Sequence, residues 1–330
     1  MTGLSRLVDR FGDATVRDLA WLLFSPDLLR ESAAGAPLAQ PFESADARDA
    51  TLTWLASLDA APDALHVRSR NPKSTRLGIY AESLLEFFLA HGPAARLIAA
   101  NVPLRRQRRT IGECDFLLET ATGARLHWEL AVKFYLHIGD GVERAARLSD
   151  YVGPNLQDRF DLKHARLLTH QLRLTSRAEF AALGLEGPWH AQLFIKGRLF
   201  YHDEGIAPAP EVGEAHVRGW WLTATEWRDR HGAHGAHGEH GARENRAWVV
   251  QPRLAWLAPR RLNAPDADSL IDEAAAIHTR LAAIAAPTMV AAYVRDGGTG
   301  WAEESRGFIV PDDWPARARA FAASGLPAPA

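Results

Sequence analysis

Two neighbouring stretches constrain the fold of this chain more than any others. In 112–119, Glu113, Asp115 and Glu119 alternate with Cys114, Phe116 and Leu118. In 125–134, Arg125, His127, Glu129 and Lys133 alternate with Leu126, Trp128, Leu130, Val132 and Phe134. Successive side chains of a strand point to opposite faces, so a period of two predicts a strand hairpin with one continuous apolar face. The opposite face carries carboxylates and one lysine. Such a face is either a solvated outer surface or a site, and the rest of the sequence bears on which.

Basic composition singles out the lysine. Of 38 Lys and Arg residues, only Lys73, Lys133, Lys163 and Lys196 are lysines. In a chain that uses arginine wherever a surface cation is wanted, a retained lysine points to a need for a compact, rotatable ammonium rather than a planar fork. Lys133 stands out because it lies late in an apolar strand, where an unpaired cation is costly. Chance survival is the competing explanation, and it weighs most on the other three. Net charge is −2 at pH 7, so any site for a polyanion must be a local patch rather than a global field. The run Arg105, Arg106, Gln107, Arg108, Arg109 is the best such patch; its alternative is a solvated loop.

Cys114 is the only cysteine, which excludes an internal disulfide and fits a reducing compartment. Its place on the apolar parity predicts a buried thiol. A charged-then-apolar leader and a bilayer-length apolar run are both missing. A soluble, cytoplasmic protein with no membrane partner is expected.

Helical spacing predicts helices over 13–31, 46–58 and 77–91, the last opening after a turn at Asn71, Pro72, Lys73 and Ser74 and ending near Gly92 and Pro93. A strand at 101–108 precedes the hairpin, and Gly139, Asp140 and Gly141 close it in a loop before a short amphipathic piece at 142–151. A further helix is expected over 156–173, with Leu156, Phe160, Leu167 and Leu168 toward the core, and a strand pair at 190–201 around Gly197. Beyond 205, strands are expected at 216–223, 247–256 and 289–295 and a helix around 267–285. The repeating His and Gly tract at 230–243 predicts a mobile loop. Histidines bind zinc, but a structural zinc site needs fixed tetrahedral geometry, which this tract does not supply.

The order helix, three strands, helix, strand resembles the core of the PD-(D/E)XK nuclease superfamily. There a helix glutamate, an aspartate on the second strand and an acid-x-lysine on the third surround a divalent metal. Gly78, Ile79, Tyr80, Ala81 and Glu82 resemble the helix motif; Ile111, Gly112, Glu113, Cys114 and Asp115 resemble the strand motif of Holliday-junction-resolvase-like members; Lys133 is the matching lysine. Over nearly its whole length the chain resembles the bacterial family known as domain of unknown function number 1853. That resemblance rests on 17–21, 77–82, 129–136, Gly153-Pro154-Asn155 with 161–163, and 216–221. It implies an α/β fold: a restriction-endonuclease-like core of helix, mixed sheet and helix at 75–204, a helical segment at 1–74 and an α+β extension at 205–330.

The function the resemblance implies is magnesium- or manganese-dependent hydrolysis of nucleic-acid phosphodiester bonds, with DNA ahead of RNA. Asp115 would be the main metal ligand, Glu129 the second, and Glu82 would act directly or through water. Lys133 would hold or help deprotonate the attacking water. Lys163 and Gln171, with His170, on the later helix, and Arg105 and Arg106, would contact substrate. One departure stands out. The acid two residues before Lys133 is replaced by Ala131, and Glu129 lies a further ~7 Å along the strand; Glu113 on the neighbouring strand is a possible substitute.

Each residue has a plainer reading. Asp115 would pair with Lys133 across the hairpin, Lys163 with Asp158 or Asp161, and Glu82 or Glu86 would face solvent. The tryptophans at 220, 221, 227, 248 and 256 belong to the core more readily than to a base-stacking platform. A catalytically inactive nuclease-fold module that binds nucleic acid or a protein is the alternative function, and a scaffold with no nucleic-acid role is a third, favoured if Arg105 to Arg109 lie far from the acids. No phosphate-binding glycine loop, dinucleotide fingerprint or nucleophile elbow is evident.

Overall fold

The predicted hairpin is the middle of a longer antiparallel unit. β1 (Ala95–Arg106), β2 (Arg109–Thr120) and β3 (Arg125–His137) follow one another through short turns. The computed structural model describes residues 3–70, 75–139, 145–231, 246–262, 277, 280, 285–295 and 300–324. The turn at 71–74 with Lys73, residues 140–144, the His and Gly tract from 232 and most of the helix expected at 267–285 lie outside the described residues.

Five helices precede β1: α1 (Gly3–Val8), α2 (Ala14–Phe24), α3 (Ala45–Ala60), α4 (Asp63–Ser69) and α5 (Leu77–His91). α2 starts where the Asp13 carboxylate accepts from the Thr15 and Val16 amides at 2.9 and 3.0 Å. It is shorter than the expected 13–31 because Ser25 is already extended ahead of Pro26. α4 was not anticipated. α5 matches its expected span and buries Leu84, Leu85 and Phe88.

After β3 come β4 (Tyr151–Val152), α6 (Phe160–Thr169), a 3-10 turn at Gln171–Ser176, α7 (Ala178–Ala181) and β5 (Trp189–Tyr201). α6 is shorter than 156–173, since Leu156 takes φ 54° in the turn before it. β5 runs parallel to β3 from Arg125↔Trp189 to Leu136↔Phe200. The strand pair expected around Gly197 is therefore one strand. Gly197 has φ 151° and faces Lys133; a Cβ there would lie 1.8 Å from the Lys133 carbonyl oxygen. Glycine marks a close backbone approach here, not a turn.

The remaining elements are β6 (Arg218–Thr223), α8 (Ala224–His231), β7 (Arg246–Val250), β8 (Arg261–Leu262), β9 (Thr288–Arg295), β10 (Trp301–Val310) and α9 (Trp314–Ala323). The described strands join one sheet in the order β1-β2-β3-β5-β6-β10-β9-β7, with β4 beside β3 and β8 beside β10. β10, near the middle of this order, was missed in the sequence. Its run Glu303-Glu304-Ser305-Arg306 looks like a loop, and a register shift between Glu303 and Ser305 breaks its alternation. β5 and β6 hydrogen-bond directly, so the expected division near 204 falls inside the sheet.

One sheet face packs Phe116, Trp128, Phe134, Phe200 and Phe308 against Trp21 of α2 and Leu84, Leu85 and Phe88 of α5. The other packs Ala131, Tyr135, Ile195 and Leu199 against Phe160 and Leu167 of α6. Fully burying each such Leu or Phe contributes about 1.5–3 kcal/mol, so both covering helices are fixed on the sheet. Trp221, Trp227 and Trp248 are buried, and Trp220 and Trp256 half-buried against the core, as their contexts predicted.

Candidate active site

β2 and β3 pair only from Phe116↔Trp128 to Glu119↔Arg125. Beyond that, β2 stays with β1 and β3 with β5, so the sheet forks. The separation leaves the Leu130 amide without a strand partner, and Asp115 Oδ2 accepts from it at 2.8 Å. The parity of β3 then sets what faces the fork: His127, Glu129, Ala131 and Lys133 point to the side covered by α6, while Leu126, Trp128, Leu130 and Val132 point to α5.

Glu129 is buried and fully held. Its Oε1 lies 2.8 Å from His127 Nε2, and its Oε2 accepts from Gln171 Nε2 at 3.1 Å. Among the described residues His127 Nδ1 is buried without a partner, and Nε2 makes its one hydrogen bond, to Glu129. Gln171 is oriented in turn by His170, whose Nδ1 lies 2.8 Å from Gln171 Oε1. Lys133 Nζ donates to Asp158 Oδ2, which also accepts from the Tyr135 hydroxyl at 3.0 Å.

The electrostatics tie four carboxylates to this fork. Burial pushes Asp115 up to about 8, with Glu129 and then Glu82 adding to the rise and the Leu130 amide and Lys163 opposing it. Glu82 on α5 is raised by burial and by Glu113 and Glu129, against Lys163. Burial and Lys133 lower the Lys163 ammonium, while Asp158, Asp115 and Glu129 oppose. Burial, helped by Glu129, holds the Cys114 thiol up near 12, an inert group as expected.

Several expected pairings are not made. Lys133 pairs with Asp158, not with Asp115. Lys163 pairs with neither acid: Asp158 is taken by Lys133 and Tyr135, and Asp161 by Arg159 at 2.7 and 3.0 Å. Glu86 pairs with Arg68. Arg105 and Arg106 lie at the far end of the β1–β2 hairpin, where Arg106 Nε meets Glu179 at 2.5 Å. Thr110, opposite Arg105, is five residues from Asp115, roughly 17 Å at strand rise. Glu82, Asp115, Glu129, Lys133, Lys163 and Gln171 thus share one region of the sheet, and the two arginines do not join them.

Three contributors escaped the sequence. Asp158 is brought to Lys133 by the turn that Gly153 begins, whose amide donates to the Asp158 carbonyl at 2.8 Å. His127 and Tyr135 shared the parity of Glu129 and Lys133, and that was their only signal. Ala131 also gains a reason: its methyl packs with Tyr135, Phe160 and Leu167 in the apolar layer under α6. An acid at 131 would be buried there without a partner.

The fork is rich in carboxylate oxygen and free of thiolate, a donor set suited to a hard, hydrated cation such as magnesium or manganese. Among the described residues, no three His, Cys, Asp or Glu side chains close around a point as a preformed metal cage does.

A family model described as "Domain of unknown function (DUF1853)" matches residues 17–310. The chain belongs to the DUF1853 family. No curated protein and no solved structure matches it. Among its described residues, no helix is long and apolar enough to cross a membrane.

Proposed function

We propose that this DUF1853 member is a phosphodiester hydrolase of the PD-(D/E)XK type, acting on nucleic acid with magnesium or manganese. The observation that carries this reading is the fork between β2 and β3, where Asp115, Glu129 and Glu82 repel one another beside Lys163, with Glu113 near Glu82. Mutually repelling carboxylates at a partly buried fork are a cost to the fold unless a cation enters. The chain order α5, β1, β2, β3, α6, β5, with β5 parallel to β3, supports the same reading.

Asp115 and Glu82 are the residues that would hold the cation: Asp115 Oδ1 and the Glu82 carboxylate make no hydrogen bond among the described residues, whereas both Glu129 oxygens already accept one. Each Glu129 oxygen keeps a second lone pair, so it serves as a further ligand directly or through water. The cation would supply Lewis acidity at the scissile phosphate. The chain's own contribution is position and charge. His127 and Gln171 fix Glu129, Asp158 and Tyr135 fix Lys133, and Lys163, without an ion pair among the described residues, offers its ammonium to a phosphate oxygen. Water attacks phosphorus as its proton passes to a carboxylate at the fork, the bond from phosphorus to the leaving oxygen breaks, and that oxygen takes a proton from solvent.

The test is incubation with labelled single- and double-stranded DNA and RNA, with magnesium, manganese or a chelator, beside Asp115→Asn and Lys133→Ala. Metal-dependent cleavage lost in both variants is the expected result. Cleavage that survives both substitutions would refute the assignment, and binding without cleavage would favour a non-catalytic nucleic-acid module.

A further inference from the structure

A second opening in the sheet lies where β5, β6 and β10 diverge. β5 and β6 pair only over Leu199–Tyr201 with Arg218–Trp220, and β10 joins β6 only from Gly307 onward. Between them is a cleft of about 700 Å³ walled by Trp21, Tyr201 and Trp220, with Arg198, His216 and Arg218 among its lining. Trp220 lies flat across β10 because residue 307 is glycine: a Cβ there would come 2.1 Å from the indole. Its indole N–H donates to Ser305 at 3.3 Å and its ring stacks on Trp227, so the wall is fixed.

Arg198 is the anomaly. It is only 7% exposed; Nη1 donates to the Arg218 carbonyl at 2.9 Å, and Nε is buried with no acceptor among the described residues. No carboxylate lies within ion-pair distance of it among the described residues. Burial and the neighbouring Arg306 lower it to about 9, with Glu303 opposing, so it is a cation at neutral pH. Glu303 is fully committed elsewhere: it grips Arg306 at 2.5 and 2.7 Å and accepts from the Arg260 amide at 2.9 Å. Glu304 on the rim is paired with Arg246, and Glu204 on the rim is exposed to water. Arg218 spreads over the Tyr201 ring at 3.7 Å from its centroid, adding positive charge at the mouth.

A buried guanidinium without a counter-charge is costly unless a ligand supplies one. A planar guanidinium matches a carboxylate or phosphate by paired hydrogen bonds, and the adjacent rings match a flat apolar body. We propose that this cleft binds a small aromatic oxyanion, a carboxylate or phosphate borne on a ring, whose charge neutralises Arg198 and whose ring lies along Trp220. The site is separate from the carboxylate fork: Arg198 shares register with Phe134, on the α2 and α5 face, whereas Lys133 faces α6.

Calorimetric titration of the full chain with phenyl phosphate, benzoate and inorganic phosphate, with benzyl alcohol as the uncharged control, tests this. Phenyl phosphate or benzoate should bind at least tenfold more tightly than benzyl alcohol, and whichever does so identifies the oxyanion. Arg198→Met should weaken that binding at least tenfold while melting no lower than the parent without ligand. Arg218→Gln, at an exposed position, should weaken it several-fold. Equal or absent binding of all the probes, or unchanged affinity in Arg198→Met, overturns the proposal. If Arg198→Met does not fold, unchanged affinity in Arg218→Gln overturns it alone.

Discussion

Between β2 and β3 the sheet parts around carboxylates; between β5, β6 and β10 it parts around arginines. The device is the same in both places. Two strands pair for a few residues and then diverge, which leaves polar groups that the ladder no longer serves. At the first opening the Asp115 carboxylate takes the orphaned Leu130 amide, and Glu82, Glu113 and Glu129 crowd the same space. At the second, the Arg306 guanidinium is answered by Glu303 and by the carbonyls of Trp256 and Ala258, while Arg198 beside it has the Arg218 carbonyl and, among the described residues, no carboxylate. The first opening gathers acids around one lysine, Lys163, and the second sets Arg198 beside Arg306.

Substitutions that treat the two openings differently sharpen this contrast. The largest effect on stability is expected at Arg306. Arg306→Met strands Glu303 in the interior, and breaking a buried pair on one side costs about 3–5 kcal/mol; urea midpoints should read it. A near-neutral result would mean that the second opening is wetter than its burial implies. Asp115→Asn should next reduce metal-dependent cleavage roughly a hundredfold or more while leaving the arginine cleft unaffected, measured as initial rates. Gln171→Ala removes one of the two groups that fix Glu129, so metal affinity or cleavage should fall by about 10- to 100-fold. Titrating manganese against rate will show whether the loss lies in binding or in turnover.

A pH dependence is expected as well. Asp115 has an ordinary value of 3.8 and is raised to about 8 in the fold. Across that interval the folded state holds a proton that the unfolded chain releases, so this carboxylate's contribution to stability is lost as pH rises from about 4 through about 8. Asp115→Asn keeps an oxygen for the Leu130 amide without the charge. In chelator, the variant should therefore melt above the parent by a margin that grows from pH 5 to pH 9. A constant margin would show that Asp115 ionises normally and that the acids at the fork do not crowd one another.

Much of the first opening was legible in the sequence. The alternation of Glu113 and Asp115 with Phe116 and Leu118, and of His127, Glu129 and Lys133 with Trp128, Leu130 and Val132, placed the right residues on the right faces, because strand parity is local. The span of α5 was equally local. Hydrogen-bond partners were not. Asp158 reaches Lys133 from 25 residues away through a turn, and Gln171 reaches Glu129 across 42; neither distance leaves a trace in periodicity. β10 was hidden for a related reason: its charged residues Glu303 and Arg306 satisfy each other inside the protein, so a buried strand reads as a polar loop. The second opening was invisible throughout, since Arg198 is one of 34 arginines in a chain that uses arginine everywhere.

By itself the sequence determined which side chains share a face, that one thiol would be buried, and that the acids and Lys133 belong to adjacent strands, because those properties follow from backbone geometry over a few residues. Tertiary structure decided where the strands part, which acid answers which base, and which buried charges are left over. Those outcomes depend on the register of strands far apart in the chain and on what the covering helices exclude from water.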